Sequence, residues 1–120
     1  MKANTVNSDN QDAVLVHKDN LLFMRGLENE SMKLIVTSPP YNIGKSYEKR
    51  SSLEDYIRGQ TQVISECVRL LHPQGSICWQ VGNHVQKGEI FPLDIVLYHL
   101  FKDHGLKLRN RIIWHFEHGL

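Results

Sequence analysis

Apolar residues fall along this chain in short bursts separated by polar stretches that hold most of the glycine and proline. The first burst, Ala13-Val14-Leu15-Val16-His17, reads as a strand, and the polar residues before it (1–12, MKANTVNSDNQD) read as a flexible N-terminus. Asn20 to Leu27 supplies one or two helical turns that end near Gly26. Lys33 to Thr37 is a second strand. Its apolar positions are continuous rather than alternating, as in a strand covered on both faces by helices. A long polar loop runs from Ser38 to Ser51, and long ordered loops in compact domains are often functional.

Ser52-Leu53-Glu54-Asp55 then resembles a capping box, with Asp in place of the preferred Glu at the third helical position. Behind it Ile57, Thr61, Ile64, Val68 and Leu71 recur at helical spacing as far as His72, and Pro73 and Gly75 stop the helix. Ser76 to Val81 (SICWQV) reads as a third strand with Gly82-Asn83-His84 as its exit loop. Pro92 suits the first turn of another helix, whose face is lined by Leu93, Val96, Leu97, Leu100 and Phe101. Gly105 fits the residue just past its end. Leu106 to Phe116 (LKLRNRIIWHF) closes as a fourth strand, with Trp114 in the core. Strands alternating with helices predict an α/β fold with a parallel sheet and right-handed crossovers. Ligands of such sheets sit beyond the carboxyl ends of the strands.

The length, 120 residues, suits one domain, and 41% apolar with 22% charged residues is ordinary for a soluble protein. The formal charge of +1 gives no global field for nucleic acid, so any such partner must be met by local patches. Cys67 and Cys78 form no CxxC pair and read as buried thiols in a reducing compartment. The N-terminus lacks a signal-peptide core, and no run approaches the roughly 18 apolar residues of a membrane span. The expectation is a cytoplasmic domain with no membrane association.

One carboxyl strand end carries distinctive chemistry: Thr37-Ser38-Pro39-Pro40-Tyr41-Asn42. A Pro-Pro pair is by itself only a rigid turn. Prolines cannot donate, however, so this turn presents acceptors, the Ser38 hydroxyl and the Pro39 carbonyl, beside the flat ring of Tyr41. Two acceptors and a stacking ring suit a planar ligand with an exocyclic NH₂. In Ser38-Pro39-Pro40-Tyr41 the chain resembles the amino-group DNA methyltransferases of restriction-modification type, whose fourth motif is (Asp/Asn/Ser)-Pro-Pro-(Tyr/Phe/Trp) after an apolar strand. The likeness continues through Asn42-Ile43-Gly44-Lys45, SLEDYI, RLLHPQGSICWQVGNH and RNRIIWHFEHGL, from Ala13 onward.

The resemblance implies a Rossmann-like methyltransferase sheet, S-adenosylmethionine as cofactor, double-stranded DNA as substrate and a base flipped out of the duplex. Ser38, Pro39, Pro40 and Tyr41 are then the catalytic residues. The first two hold both amino hydrogens, the prolines keep the acceptors fixed, and Tyr41 stacks on the base. Ser38 favours N4 of cytosine, since the family's cytosine members often carry Ser and its adenine members more often Asp; N6 of adenine is the alternative. Asp19 matches the acidic position near the cofactor's adenosine, although a helix cap explains it equally well. Trp79, Gly82 and Asn83 match the sixth motif and would shape the pocket wall. Lys45, Lys49 and Arg50, with Glu48 as the one acid beside them, are candidates for DNA phosphate contacts, although a solvated loop accounts for them as well. Lys107, Arg109 and Arg111 would share one strand face, toward DNA or solvent.

Three rival chemistries fail. Gly44-Lys45-Ser46 mimics the end of a P-loop, but the first glycine of that motif would fall on Pro39, which has no amide to offer phosphate. Cytosine-5 methylation needs a cysteine after proline, whereas Cys67 and Cys78 follow Glu66 and Ile77. His115 and His118 would point to opposite strand faces, so no metal site is expected.

The family's cofactor motif, Phe-x-Gly-x-Gly, is absent: no two of the glycines at 26, 44, 59, 75, 82, 88, 105 and 119 are spaced by one residue. The expectation is therefore a catalytic half, residues 13–120, incomplete at its C-terminus, with the cofactor-motif half missing. In the family's sheet order the two missing strands lie between Val14–Val16 and Leu34–Thr37. Such a fragment would be inactive alone and would draw its cofactor half from a second chain, or form a homodimer. A non-catalytic truncated or split module that binds DNA or a partner is the reading from a different class.

Overall fold

The computed structural model describes residues 4–7, 12–44 and 49–117. The described residues form a mixed α/β structure of three two-stranded sheets and three helices. β1 (Asn4–Asn7) pairs antiparallel with β2 (Val14–His17), from Asn4 opposite His17 to Asn7 opposite Val14. Part of the stretch expected to be flexible is thus a strand, which gives the backbone of β2 a hydrogen-bonding partner. α1 (Asn20–Arg25) starts at Asp19, whose carboxylate accepts from the Leu22 amide at 3.1 Å. Its last carbonyls are met by a cation from a later helix: Arg69 donates to Met24 at 2.7 Å and to Leu27 at 2.9 Å, while Glu66 pairs with the same guanidinium at 2.7 Å.

The element that positions the site is a β–α–β unit. β3 (Met32–Thr37) and β4 (Leu71–Trp79) lie parallel, joined through α2 (Leu53–Leu70), with Leu34 opposite Ser76 and Thr37 opposite Trp79. Ser52 caps α2 as expected, its hydroxyl accepting from the Asp55 amide at 3.1 Å. The helix stops at Leu70 instead of His72, and Pro73 and Gly75 lie inside β4. They fall where the register shifts between Met32 and Leu34, an irregularity that tolerates proline. The buried stripe of α2 is Tyr56, Gln60, Ile64, Cys67 and Leu70. It shares only Ile64 with the stripe expected from aliphatic spacing, because the polar-tipped Tyr56 and Gln60 turn inward and Thr61 turns out.

Helices cover one face of this sheet, not two. Ile35, Ile77 and Trp79 are half-buried, whereas Leu34 and Val36 are 59% and 69% exposed. By register, Ser76 and Cys78 share that open face. β3 pairs with β4 and β2 with β1; β2 and β3 do not pair with each other.

Beyond β4 the expected exit loop is the start of a hairpin. β5 (Asn83–Gln86) and β6 (Glu89–Pro92) are joined by Lys87-Gly88, both at positive φ (51° and 78°), the two-residue turn that matches strand twist. α3 (Leu93–Asp103) buries Leu93 and Leu97, with Val96, Leu100 and Phe101 beside them, as its spacing predicts. It ends with the Gly105 amide on the Lys102 carbonyl (2.9 Å) and the Leu106 amide on that of Phe101 (3.3 Å), a Schellman closure. Tyr56, Leu93 and Leu97 form the core, packed by Tyr41, Leu53, Trp79, Val81, Leu100 and Phe101.

The expected fourth strand does not form. Leu106 to Phe116 makes no ladder with any described strand, and Trp114, expected in the core, is 72% exposed. A strand needs a neighbouring edge for its backbone, and this segment lies on none of the described ones. Lys107, Arg109 and Arg111 therefore share no strand face, and Arg111 instead pairs with Asp94 of α3 at 2.6 Å. No described helix is long and apolar enough to cross a membrane.

Candidate active site

β3 ends at Thr37, whose carbonyl accepts from the Gln80 amide at 3.0 Å, so the parallel pair is held to its tip. Ser38-Pro39-Pro40-Tyr41 leaves the sheet there, and all four residues line one cleft of about 330 Å³. Ser38 is exposed at its mouth and Tyr41 is half-buried with its ring against the core. The four residues singled out by sequence thus come together.

The acceptors of this turn are not equivalent. The Pro40 carbonyl is taken by the Tyr56 hydroxyl, which donates to it at 2.8 Å from α2. The Ser38 hydroxyl and the Pro39 carbonyl have no protein hydrogen-bond partner among the described residues. Both are open to a ligand in the cleft.

The residue after Tyr41 anchors the turn. Asn42 is 2% exposed and left-handed (φ 57°), a conformation that asparagine tolerates better than most residues. Its side-chain oxygen accepts from the Ser51 amide at 2.7 Å and its amide donates to the Ser51 carbonyl at 2.8 Å. Its own carbonyl lies 3.1 Å from Nδ1 of the buried His84. Gly82 forms the wall beside Tyr41: a Cβ there would stand 3.1 Å from the ring. The pocket-wall role expected for Gly82 is consistent with this contact. Trp79 packs edge-on to Phe101 at 5.4 Å, and Asn83 is exposed on β5.

Sequence reading missed Tyr56, Asn42 and His84 as supports. The signal for Asn42 was a left-handed-tolerant residue directly after a rigid turn. His84 could have been suspected from its place two residues beyond Gly82, on the same side of an extended segment.

The charged candidates separate. Lys45 lies outside the described residues. Lys49 is exposed and lines a second cavity of about 340 Å³, on the side of Pro40 that faces α2, with Ser51, Asp55, Tyr56 and Gln60. Arg50 is exposed but donates to the Val85 carbonyl, bracing the hairpin against the loop. Asp19 caps α1 and touches neither cavity. No group of three or more metal-ligating side chains occurs among the described residues. Cys67, buried against Met24, has its thiol pKa raised by burial first and by neighbouring Glu66 second; Cys78 is exposed rather than buried.

Comparison with known proteins gives one consistent result. The DNA methylase family matches residues 32–120. The chain is 45% identical over 103 residues to the Type II methyltransferase M.BglII of Bacillus subtilis, covering 85% of this chain and 29% of that protein. It is 35% identical over 91 residues to the Type II methyltransferase M.MjaVI of Methanocaldococcus jannaschii, 73% of this chain and 47% of the relative. It is 31% identical over 111 residues to the DNA adenine methyltransferase YhdJ of Escherichia coli, 90% of this chain and 35% of the relative. The chain spans less than half the length of each of the three.

Proposed function

This chain belongs to the DNA methylase family, and we propose that it is the amine-holding half of an enzyme that methylates the exocyclic amino group of a base turned out of double-stranded DNA. One observation carries the reading. The Ser38 hydroxyl and the Pro39 carbonyl are uncommitted and share a cleft with the Tyr41 ring, while the Pro40 carbonyl is occupied by Tyr56.

The amino nitrogen of a base is a poor nucleophile because its lone pair is conjugated with the ring. Accepting both of its hydrogens at Ser38 Oγ and the Pro39 carbonyl favours a pyramidal nitrogen and frees that lone pair. Tyr41 stacks on the base and fixes its plane. The two prolines and the Tyr56 bond hold the acceptors in place before the base arrives, so little reorganisation is needed at reaction. The family implies S-adenosylmethionine as methyl donor. The steps assigned to this chain are those its own residues carry, which is to hold the amine. Asp19 uses Oδ1 for the α1 cap, and its second carboxylate oxygen is the one that would face the cofactor.

The cofactor side then comes from a second chain or a homodimer partner, and the open Leu34–Val36 face of the sheet supports that assignment. The chain alone is inactive on this reading. Lys49 and Arg50 serve as phosphate contacts in the loop after the turn, supported by their exposure, and a DNA substrate supports a cytoplasmic location. Ser38 favours N4 of cytosine. N6 of adenine is the second reading, favoured by the likeness to an adenine methyltransferase. A non-catalytic DNA- or partner-binding module is the third, favoured by Asp19 being engaged in the α1 cap.

Labelled S-adenosylmethionine and DNA, incubated with this chain alone and with a supplied cofactor half, then digested to nucleosides, separate these readings. N4-methylcytosine from the reconstituted pair alone is expected. N6-methyladenine would select the second reading, and DNA binding without any transfer the third.

A further inference from the structure

His84 is 1% exposed, and burying an imidazole's polar nitrogens without partners is unfavourable where a phenylalanine or leucine would fill the space. Its ring meets the Asn42 carbonyl, which lies 3.1 Å from Nδ1. A carbonyl oxygen can only accept, so this contact is a hydrogen bond in the Nδ1–H tautomer, with Nδ1 as donor. The receiving carbonyl belongs to the left-handed residue that directly succeeds Tyr41, and Asn42 is gripped from its other side by both polar atoms of the Ser51 backbone.

Gly82 and His84 sit one strand period apart, with exposed Asn83 between them. They meet successive residues of the turn, Gly82 the ring of Tyr41 and His84 the carbonyl of Asn42. The amide of Leu93 donates to the Gly82 carbonyl at 3.2 Å, which anchors this template to α3. We infer that His84 is a positioning residue for base capture: through its Nδ1–H it holds Asn42 left-handed and so sets the plane of the Tyr41 ring. The inference rests on the reading of Tyr41 as the base-stacking residue. His84 touches no substrate and needs no charge for this task.

The replacements that test it differ in one atom of function. Asparagine places its amide nitrogen as many bonds from the backbone as Nδ1 and keeps the donor; phenylalanine keeps the ring and loses the donor. The probe is a duplex holding 2-aminopurine opposite an abasic site. DNA binding is tracked by anisotropy and base entry by 2-aminopurine emission, with thermal melting as the control for folding. His84→Phe is expected to bind DNA as the unaltered chain does and to weaken base entry about tenfold, and His84→Asn to restore it.

Tyr41→Leu, which keeps the apolar contact and removes the flat ring, is expected to abolish the emission change. An unchanged emission response in Tyr41→Leu would overturn the stacking reading itself. Loss in Tyr41→Leu together with an undiminished response in His84→Phe would overturn the role of His84 alone. Should His84→Phe fail to fold, nitrogen NMR of the unaltered chain decides the matter: an Nδ1–H tautomer supports the inference and an Nε2–H tautomer with bare Nδ1 overturns it.

Discussion

Tyr41 has two neighbours with opposite demands. Its ring packs on Tyr56, Leu93 and Leu97, and its other side must stay clear for a base beside Ser38. Gly82 reconciles them, because any side chain there would enter the ring's space. Gly82→Ala is therefore expected to weaken base entry at least as much as His84→Phe while changing the melting temperature little, measured on the same 2-aminopurine duplex. Reading by residue places Ser38 to Tyr41 at the end of a strand, where the structure has them, because proline chemistry is local. It misses Tyr56, Asn42 and His84, because their hydrogen bonds join residues 16, 9 and 42 positions apart. The thiols give a separate test. Burial raises the pKa of Cys67 and leaves Cys78 outside, so iodoacetamide should modify Cys78 first and Cys67 only on unfolding. A raised folded pKa stabilises while the unfolded thiol is still protonated. Stability from Cys67 should thus be full below the ordinary value of 9.0 and decline as the pH climbs through and above it.

At the scale of elements, the helices and the β3–β4 pair were legible where a cap or a stop residue marked an end. Ser52 does cap α2, and Ser52→Ala should destabilise the chain by about 1 kcal/mol in denaturant unfolding without altering the cleft. The β5–β6 hairpin was hidden because Lys87-Gly88 is an unusual pair for a two-residue turn, in which asparagine or aspartate usually precedes the glycine. The reading of Leu106 to Phe116 as a strand failed for a different reason. Its composition suits a strand, but a strand is a property of two segments, and Ile112, Ile113 and Trp114 remain exposed without the second.

For the whole molecule, the open face of the β3–β4 sheet matters most. Leu34 and Val36 form an apolar surface on β3, and β3 has no partner besides β4 among the described residues. Exposed apolar faces and unpaired edges associate. Val36→Asp should make the isolated chain more monomeric in sedimentation and, on the proposed division of labour, should prevent reconstitution with a cofactor half. A monomeric Val36→Asp chain that still reconstitutes would place the docking surface elsewhere. Composition announced none of this, since a net charge of +1 and an average apolar content describe the chain and not the distribution of its surface.

If the turn recognises an amine by its hydrogens, replacing both hydrogens with methyl groups should weaken binding. Affinity is compared for two duplexes, each with the target opposite an abasic site: one carries cytosine, the other N4,N4-dimethylcytosine. With two hydrogen bonds at stake, each worth about 1 kcal/mol, the dimethylated base should bind at least tenfold more weakly. Ser38→Ala should shrink that difference by lowering cytosine affinity alone. Equal affinity for the two bases, with no change in Ser38→Ala, would contradict the account.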